Sequence, residues 1–427
     1  MPKIGFYTLG CKVNQYETEA LKELFINNGY TVSYFDGVCD VYVINSCTVT
    51  ATGDKKSRQA VSRAKRNNPD ATVALIGCYA QHLTEKESDK IGADIVLGNG
   101  DKNSLLHLVE SHIKTSTAKD VYSFDCFDET PISGFASDKA RGYIKIQDGC
   151  NRFCSYCIIP YVRGKVRSRA QDAITREAEA LSENGQHEIV LTGIQVGAYG
   201  ADKKDGTSLI DAIEAAALPE KVKRLRLSSI EPVAITEEFL ERCKKLSAFC
   251  PHFHLSLQSG CDKILSAMNR RYTTEEYLGK VNLIRKYFPD AGITTDIIAG
   301  FPGETEEDFE ETLAFAEKCN FSKIHAFPYS PREGTKAASL PCLPEKSVRS
   351  ERAKRLISLS EKLAHEFVQS QLGKERTVYI EKTEDKKAFG YTDNYLYVAI
   401  PEGSLKTGDV TTITISESYI TENTDES

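Results

Sequence analysis

Residues 142–157 read GYIKIQDGCNRFCSYC. The alternation over 142–147 predicts a β-strand, and the cysteines at 150, 154 and 157 fall on the loop that follows it. Further strand-like runs recur at 187–192, 224–228, 252–257, 292–298 and 323–327, with helical stretches between them. Six such βα units predict a TIM-like partial (β/α)6 barrel over 139–366. Its first strand would deliver the cysteine loop to the carboxyl-end face, where barrels build their sites. A long helix at about 345–370, with Leu356, Leu359, Leu363 and Phe367 at a spacing of three to four, closes the region.

Three thiolates on one loop suit three corners of a [4Fe–4S] cube, and the fourth iron is left open to a small molecule such as S-adenosylmethionine. Zinc competes, but it usually takes four protein ligands and no fourth follows closely here. Three separate core thiols are the plain alternative.

Upstream, strands at 3–9, 40–44, 72–76 and 93–97 alternate with helices at 15–28, 53–67 and 105–113. This predicts an open parallel α/β domain over 1–113, with a polar linker at 114–138. Cys11, Cys47 and Cys78 each lie just beyond the carboxyl end of one of these strands, and such loops face a single crevice in an open parallel sheet. Three unrelated buried thiols would satisfy the same pattern. Downstream, 370–427 changes character: strands at 376–380, 395–400 and 411–416 predict a small all-β module.

The chain has 427 residues, 13 cysteines and a net charge of −7. No apolar run reaches the roughly 18 residues of a membrane span. The N-terminus reads as a strand rather than a signal peptide. A cytoplasmic, reducing location is therefore expected, with cysteines serving as thiols or ligands rather than disulfides. Charge is uneven. Residues 138–170 hold eight Lys/Arg against two Asp, and 54–66 hold six against one. Arg163, Lys165, Arg167 and Arg169 are expected to form a basic rim for a polyanion such as RNA. Residues 371–427 are net acidic, so any RNA contact there needs a local face, for which Lys382, Lys386 and Lys387, with Tyr391 and Tyr395, are the candidates.

The triplet with Tyr156 before its last cysteine resembles the radical S-adenosylmethionine superfamily. TLGCKVNQYETE at 8–19, NSCTVT at 45–50 and GCYAQ at 77–81 resemble the N-terminal domain of methylthiotransferases. The resemblance implies two [4Fe–4S] clusters, one on Cys150, Cys154 and Cys157 and an auxiliary one on Cys11, Cys47 and Cys78 that carries the sulfur. S-adenosylmethionine would be both radical source and methyl donor. Gly193 and Gln195 in 191–200 would meet its methionine part, and Gly300 and Phe301 in 296–304 its adenine. Glu231 and Gln258, ending strands three and four, are expected either to bind the cofactor or to cap loops. The C-terminal module resembles a TRAM domain.

The family acts on adenosine 37 of tRNA bearing threonylcarbamoyl or isopentenyl, or on an aspartate of a ribosomal protein. The wording of residues 10–17 is most similar to the threonylcarbamoyl type. The partners implied are tRNA, an electron donor such as a flavodoxin or ferredoxin, and a sulfur source, with no membrane. A non-catalytic Fe–S or zinc-ribbon RNA-binding protein is the alternative of a different class.

Overall fold

The computed structural model describes residues 1–421 apart from Asp101, Ala118, Lys119, Pro131 and 135–139. The expected barrel start at 139 and the end of the expected β-module at 422–427 lie outside the described residues. No helix among these residues is long and apolar enough to cross a membrane.

The N-terminal region is a six-stranded, all-parallel sheet in the order β2-β1-β3-β4-β5-β6. Its strands are β1 (Lys3–Thr8), β2 (Thr31–Ser33), β3 (Val41–Ser46), β4 (Thr72–Gly77), β5 (Ile95–Leu97) and β6 (Thr115–Thr117). The central β3 is buried at every position, as parallel strands covered on both faces must be. Five helices serve this region: α1 (Lys12–Asn27), α2 (Ala51–Asn67), α3 (Cys78–His82), α4 (Glu85–Ile91) and α5 (Leu105–Glu110). Helix α2 is capped by Thr50, whose side chain accepts the Gly53 N–H, and it carries Asp54 in its first turn and Lys65 and Arg66 in its last, in accord with the helix dipole.

Helix α1 serves two cores. Leu21 and Phe25 pack into the sheet. Tyr16 and Ala20 join the barrel core instead. Each large apolar side chain buried this way contributes about 1.5–3 kcal/mol. Polar contacts fix the same junction: Tyr16 Oη donates to the Thr130 carbonyl at 3.1 Å, and Glu23 accepts the N–H groups of Ser133 and Gly134 at 2.8 and 2.7 Å.

The linker expected at 114–138 is shorter than predicted. Thr115–Thr117 form β6, paired in parallel with β5, and Val121 and Ile132 are buried. Three small polar residues carry no hydrophobic signal. Their pairing rests on backbone hydrogen bonds at a sheet edge.

The barrel strands are β7 (Arg141–Asp148), β8 (Arg167–Ser168), β9 (Glu188–Gly193), β10 (Arg224–Leu227), β11 (His252–His254), β12 (Gly292–Ala299) and β13 (Lys323–Pro328). β7, β9 and β10 pair in parallel, as do β11, β12 and β13, and parallel bridges such as Ile230–Leu255 link the two sets. β8 is a two-residue antiparallel return beside β7. Helix α6 (Ile159–Arg163) follows the cysteine loop, and the helix Lys346–Gln371 closes the region.

The C-terminal module is a four-stranded antiparallel sheet in the order β16-β15-β14-β17, from β14 (Glu375–Glu384), β15 (Lys387–Thr392), β16 (Tyr397–Pro401) and β17 (Val410–Thr414). It docks on the amino ends of the barrel strands. Arg141 at the start of β7 pairs with Glu188 and Glu381, and Arg224 and Arg226 donate to the carbonyls of Thr377 and Asp393 at 3.0 and 2.9 Å. The Tyr395 ring stacks between Tyr391 and His252, at 4.3 and 4.2 Å.

Candidate metal centres

The contiguous triad sits at the carboxyl end of β7. Gly149 has φ +73°, and a Cβ there would collide with the Lys165 carbonyl, so only glycine lets the chain turn into the loop. The loop is then tied from several sides. Cys150 N–H donates to the Gly164 carbonyl at 2.9 Å, Ser155 N–H to Met268 at 3.0 Å, and the Ser155 carbonyl accepts Ala337 N–H at 2.7 Å. Burial and the adjoining thiols push the Cys150 thiol up to about 11 and Cys157 to about 12. Iron would bind these groups as thiolates and so reverse the effect of burial.

The second triad assembles at the point where the sheet order reverses, between β1 and β3, which is where open α/β sheets form their crevices. Cys11 follows β1, Cys47 follows β3, and Cys78 opens α3 directly after β4. Gly10, at φ +97°, lies so close to Cys47 that a Cβ there would stand 2.8 Å from its Sγ. Burial, then the neighbouring Cys78 and Cys11, push the Cys47 thiol up to about 11. The sulfur of Cys78 accepts hydrogen bonds from Arg163 Nε at 3.3 Å and Asn99 Nδ2 at 3.6 Å. No three His, Cys, Asp or Glu side chains among the described residues form a group that could hold a single metal ion. A cubane places each of three thiolates on a different iron, so it does not require three sulfurs to meet at one metal ion.

Around Cys150 lies a polar collar. Gln195 Oε1 is 3.2 Å from the Cys150 sulfur, and its Nε2 donates to Glu231 at 2.8 Å. Glu231 also accepts Arg152 at 2.7 Å and pairs with Arg270 at 3.1 Å. Arg270 in turn reaches Cys154 Sγ at 3.4 Å. One carboxylate and two guanidiniums at the mouth can meet the ammonium and carboxylate of an amino acid.

Of the expected cofactor residues, Gln195 and Glu231 therefore stand beside the cysteine loop. Gly193 packs on Gln147, the residue that also accepts the Gln195 N–H. Gln258 adopts φ +75° and bridges β12 through its backbone. Phe301 is fully buried, in one apolar cluster with Tyr156 and Tyr329, and Gly300 N–H donates to Glu304 at 2.6 Å. Phe301 thus backs the cysteine loop from beneath and offers no face to an open cleft. Arg270 was missed, and Arg152 was read only as one of the basic residues of 138–170 around the cysteine loop. Arg270 belongs to MNRRYT, a basic pair on the turn between the helices Asp262–Ala267 and Thr274–Tyr287, and nothing in the sequence signals that this turn reaches the cysteine loop.

The basic rim is corrected in part. Arg163, Arg167 and Arg169 are buried, at 0%, 5% and 1% exposure. Arg169 is spent on Glu129 and Glu177, and Arg167 on the carbonyls of Arg163 and Lys165. A run of alternating arginines reads as surface charge, but acidic partners distant in sequence draw it inward. Lys165 alone of the four is only half-buried, paired with Asp125. Tyr391 and Tyr395 face the barrel, whereas Lys386 and Lys387 are exposed on the β14–β15 hairpin and Lys382 lies over the Phe389 ring. On α2, Lys55, Lys56, Arg58 and Arg66 are exposed. Its one acid, Asp54, is held with Thr48 by Arg332 at 2.7 Å each. Arg332 belongs to the same post-barrel segment as Ala337, so one strap touches both cysteine regions.

Residues 144–316 match the radical SAM superfamily, and residues 3–98 match the uncharacterized protein family UPF0004. The chain is 42% identical to the threonylcarbamoyladenosine tRNA methylthiotransferase of Bacillus subtilis (strain 168), over 93% of this chain and 90% of that protein. It is 33% identical to the tRNA-2-methylthio-N(6)-dimethylallyladenosine synthase of Methylacidiphilum infernorum (isolate V4), over 98% and 93%. Its fold is similar to that of a radical S-adenosylmethionine methyltransferase from Kitasatospora setae, with a TM-score of 0.58 at 17% identity, covering 79% and 77% of the two chains. With this identity sustained across both regions that carry the cysteine triads, the chain belongs to the radical S-adenosylmethionine tRNA methylthiotransferases, enzymes that transfer a sulfur-containing group.

Proposed function

We propose that this chain methylthiolates C2 of N6-threonylcarbamoyladenosine at position 37 of tRNA, using one [4Fe–4S] cluster on Cys150, Cys154 and Cys157 and another on Cys11, Cys47 and Cys78. The choice of nucleoside rests on one observation: relatives named for threonylcarbamoyladenosine reach 42% identity, those named for dimethylallyladenosine 33%, over comparable lengths. When bound, the barrel cluster with S-adenosylmethionine supplies a radical able to remove an aromatic hydrogen too weakly acidic for a protein base, and the second cluster supplies sulfur.

The chain's own residues bind and orient. Gln195, Glu231, Arg152 and Arg270 hold the amino acid portion of S-adenosylmethionine against the cysteine loop. Tyr156 and Phe301 stiffen that loop from beneath. The strap carrying Arg332 and Ala337 keeps the two cysteine regions in register. tRNA approaches over the exposed face of α2 and Lys165, where fixed positive charge meets phosphate. Lys382, Lys386 and Lys387 lie on the sheet at the opposite end of the barrel. β7 spans roughly 25 Å, so a partner touching both ends has the dimensions of a folded RNA rather than of a nucleoside. A flavodoxin or ferredoxin as electron donor, a separate sulfur source and a cytoplasmic location complete the reading.

The test is mass spectrometry of tRNA nucleosides from a bacterial host lacking its own methylthiotransferases. Appearance of 2-methylthio-N6-threonylcarbamoyladenosine is expected. The isopentenyl product in its place would overturn the choice of nucleoside and keep the chemistry.

A further inference from the structure

Arg163 closes α6, six residues beyond Cys157, yet its side chain reaches the other triad. Nε donates to Cys78 Sγ at 3.3 Å, Nη1 to Glu17 at 2.8 Å and to both oxygens of Asp148 at 3.2 Å, and Nη2 to Asn14 at 2.8 Å and Glu17 at 3.1 Å. Glu17 and Asn14 lie on α1, and Asp148 is two residues before Cys150. A single guanidinium, fully buried, thus joins the strand end that launches one cysteine loop to a sulfur of the other.

Neutralising the two carboxylates does not require Arg163. Glu17 already pairs with Lys102 and with Lys145, the latter at 3.0 Å. Asp148 already pairs with Lys145 at 2.6 Å and has Arg167 at 3.6 Å. Among the described residues, four cations therefore contact two carboxylates, and a third, Asp128, lies within electrostatic reach of both lysines. Among the described residues, the buried part of this network holds more cations than carboxylates, which is costly unless an anion completes it. The group at its edge is the Cys78 sulfur, and Asn99 points a second donor at the same atom.

We propose that Arg163 is a positioning residue for the second triad: it fixes Cys78 relative to the Cys150 loop and, as the charged donor to that sulfur, raises the reduction potential of the cluster there. The inference rests on the assignment of a cluster to Cys11, Cys47 and Cys78. Hydrogen bonds to ligand sulfurs and nearby positive charge both favour the reduced, more negative cluster.

The test uses the full chain with Cys150, Cys154 and Cys157 all replaced by Ala, so that only the second triad can load. After anaerobic reconstitution, iron content and an EPR-monitored redox titration are compared among this parent and its R163Q, R163K and N99A derivatives, with the apo unfolding midpoint of each. The parent is expected to hold about four irons. The potential should move negative in R163Q, less in R163K, and least in N99A. R163Q holding its cluster at an unchanged potential overturns the proposal and leaves the second cluster standing. A fall in iron and unfolding midpoint without a shift in potential marks a merely structural arginine and overturns it too. If R163Q does not fold, unchanged potentials in both R163K and N99A overturn it equally. A parent that binds no iron removes the second cluster and this proposal together.

Discussion

Cys150, Cys154 and Cys157 ride on one loop, whereas Cys11, Cys47 and Cys78 come from the ends of three strands and meet only because the sheet order reverses between β1 and β3. Both sets share a glycine at positive φ and an arginine on one sulfur, Arg270 on Cys154 and Arg163 on Cys78, though Cys150, Cys154 and Cys157 are all half-buried while the other three run from exposed Cys11 to buried Cys78. The arginines differ. Arg270 shares Glu231 with Arg152 and Gln195 at the barrel mouth, where Arg152 is still a quarter exposed. Arg163 is locked among Glu17, Asp148 and Asn14 with no solvent. A loop motif is set by local spacing and leaves its surroundings open for a cofactor. A convergent site depends on tertiary contacts, and its surroundings are built as rigidly as a core.

The most severe test of that contrast is Cys154→Ala. It should abolish 5′-deoxyadenosine formation and lower iron from about eight to about four per chain; chromatography and iron assay read both. Next, Cys47→Ala should lose a similar amount of iron and all methylthiolated nucleoside, yet continue to form 5′-deoxyadenosine. Loss of both products would mean that the two sites are not separable. Arg270→Lys keeps a charge but loses the planar fork, and it should raise the KM for S-adenosylmethionine about 10–100-fold, measured by steady-state 5′-deoxyadenosine release.

The two loop glycines sharpen the comparison further. Gly149→Ala and Gly10→Ala should each cost about 1–3 kcal/mol of local strain. EPR of the reconstituted variants should show the first losing signal from the barrel cluster and the second from the sheet cluster. The smallest effect is expected away from both sites. Replacing Lys55, Lys56 and Arg66 with Glu should weaken tRNA binding and reduce the slope of log affinity against log salt by about one per lost phosphate contact. Formation of 5′-deoxyadenosine without tRNA should not change.

How far the sequence could be read varies between these regions for physical reasons. The barrel strands were legible because buried parallel strands are short, rich in apolar residues and separated by helical stretches; the strand expected at 292–298 is β12, Gly292–Ala299. β6 and β15 were not, since TST and the Lys- and Gly-containing KAFGYT carry weak periodicity and pair through backbone geometry. The positions of the six cysteines relative to strand ends were legible, and so were Gln195 and Glu231 as mouth residues. Arg163, Arg167 and Arg169 were misjudged because charge in a sequence says nothing of its partners: Glu17 lies far from Arg163 along the chain and Glu129 lies 40 residues before Arg169. The inward turn of Tyr391 and Tyr395 depended likewise on Arg141 and His252 in another region.

By itself, then, the sequence determined the order of sheet, barrel and β-module, the loop that carries Cys150, Cys154 and Cys157, and the strand ends that carry the other three cysteines. These follow from periodicity and spacing, which are local properties of the chain. Only the tertiary structure decided that Arg163 reaches Cys78, that Glu231 gathers two arginines, and that the C-terminal sheet docks on the barrel end opposite the cysteines. Each of these joins residues separated by many tens of positions, and a buried charge is placed by whichever opposite charge the fold brings to it.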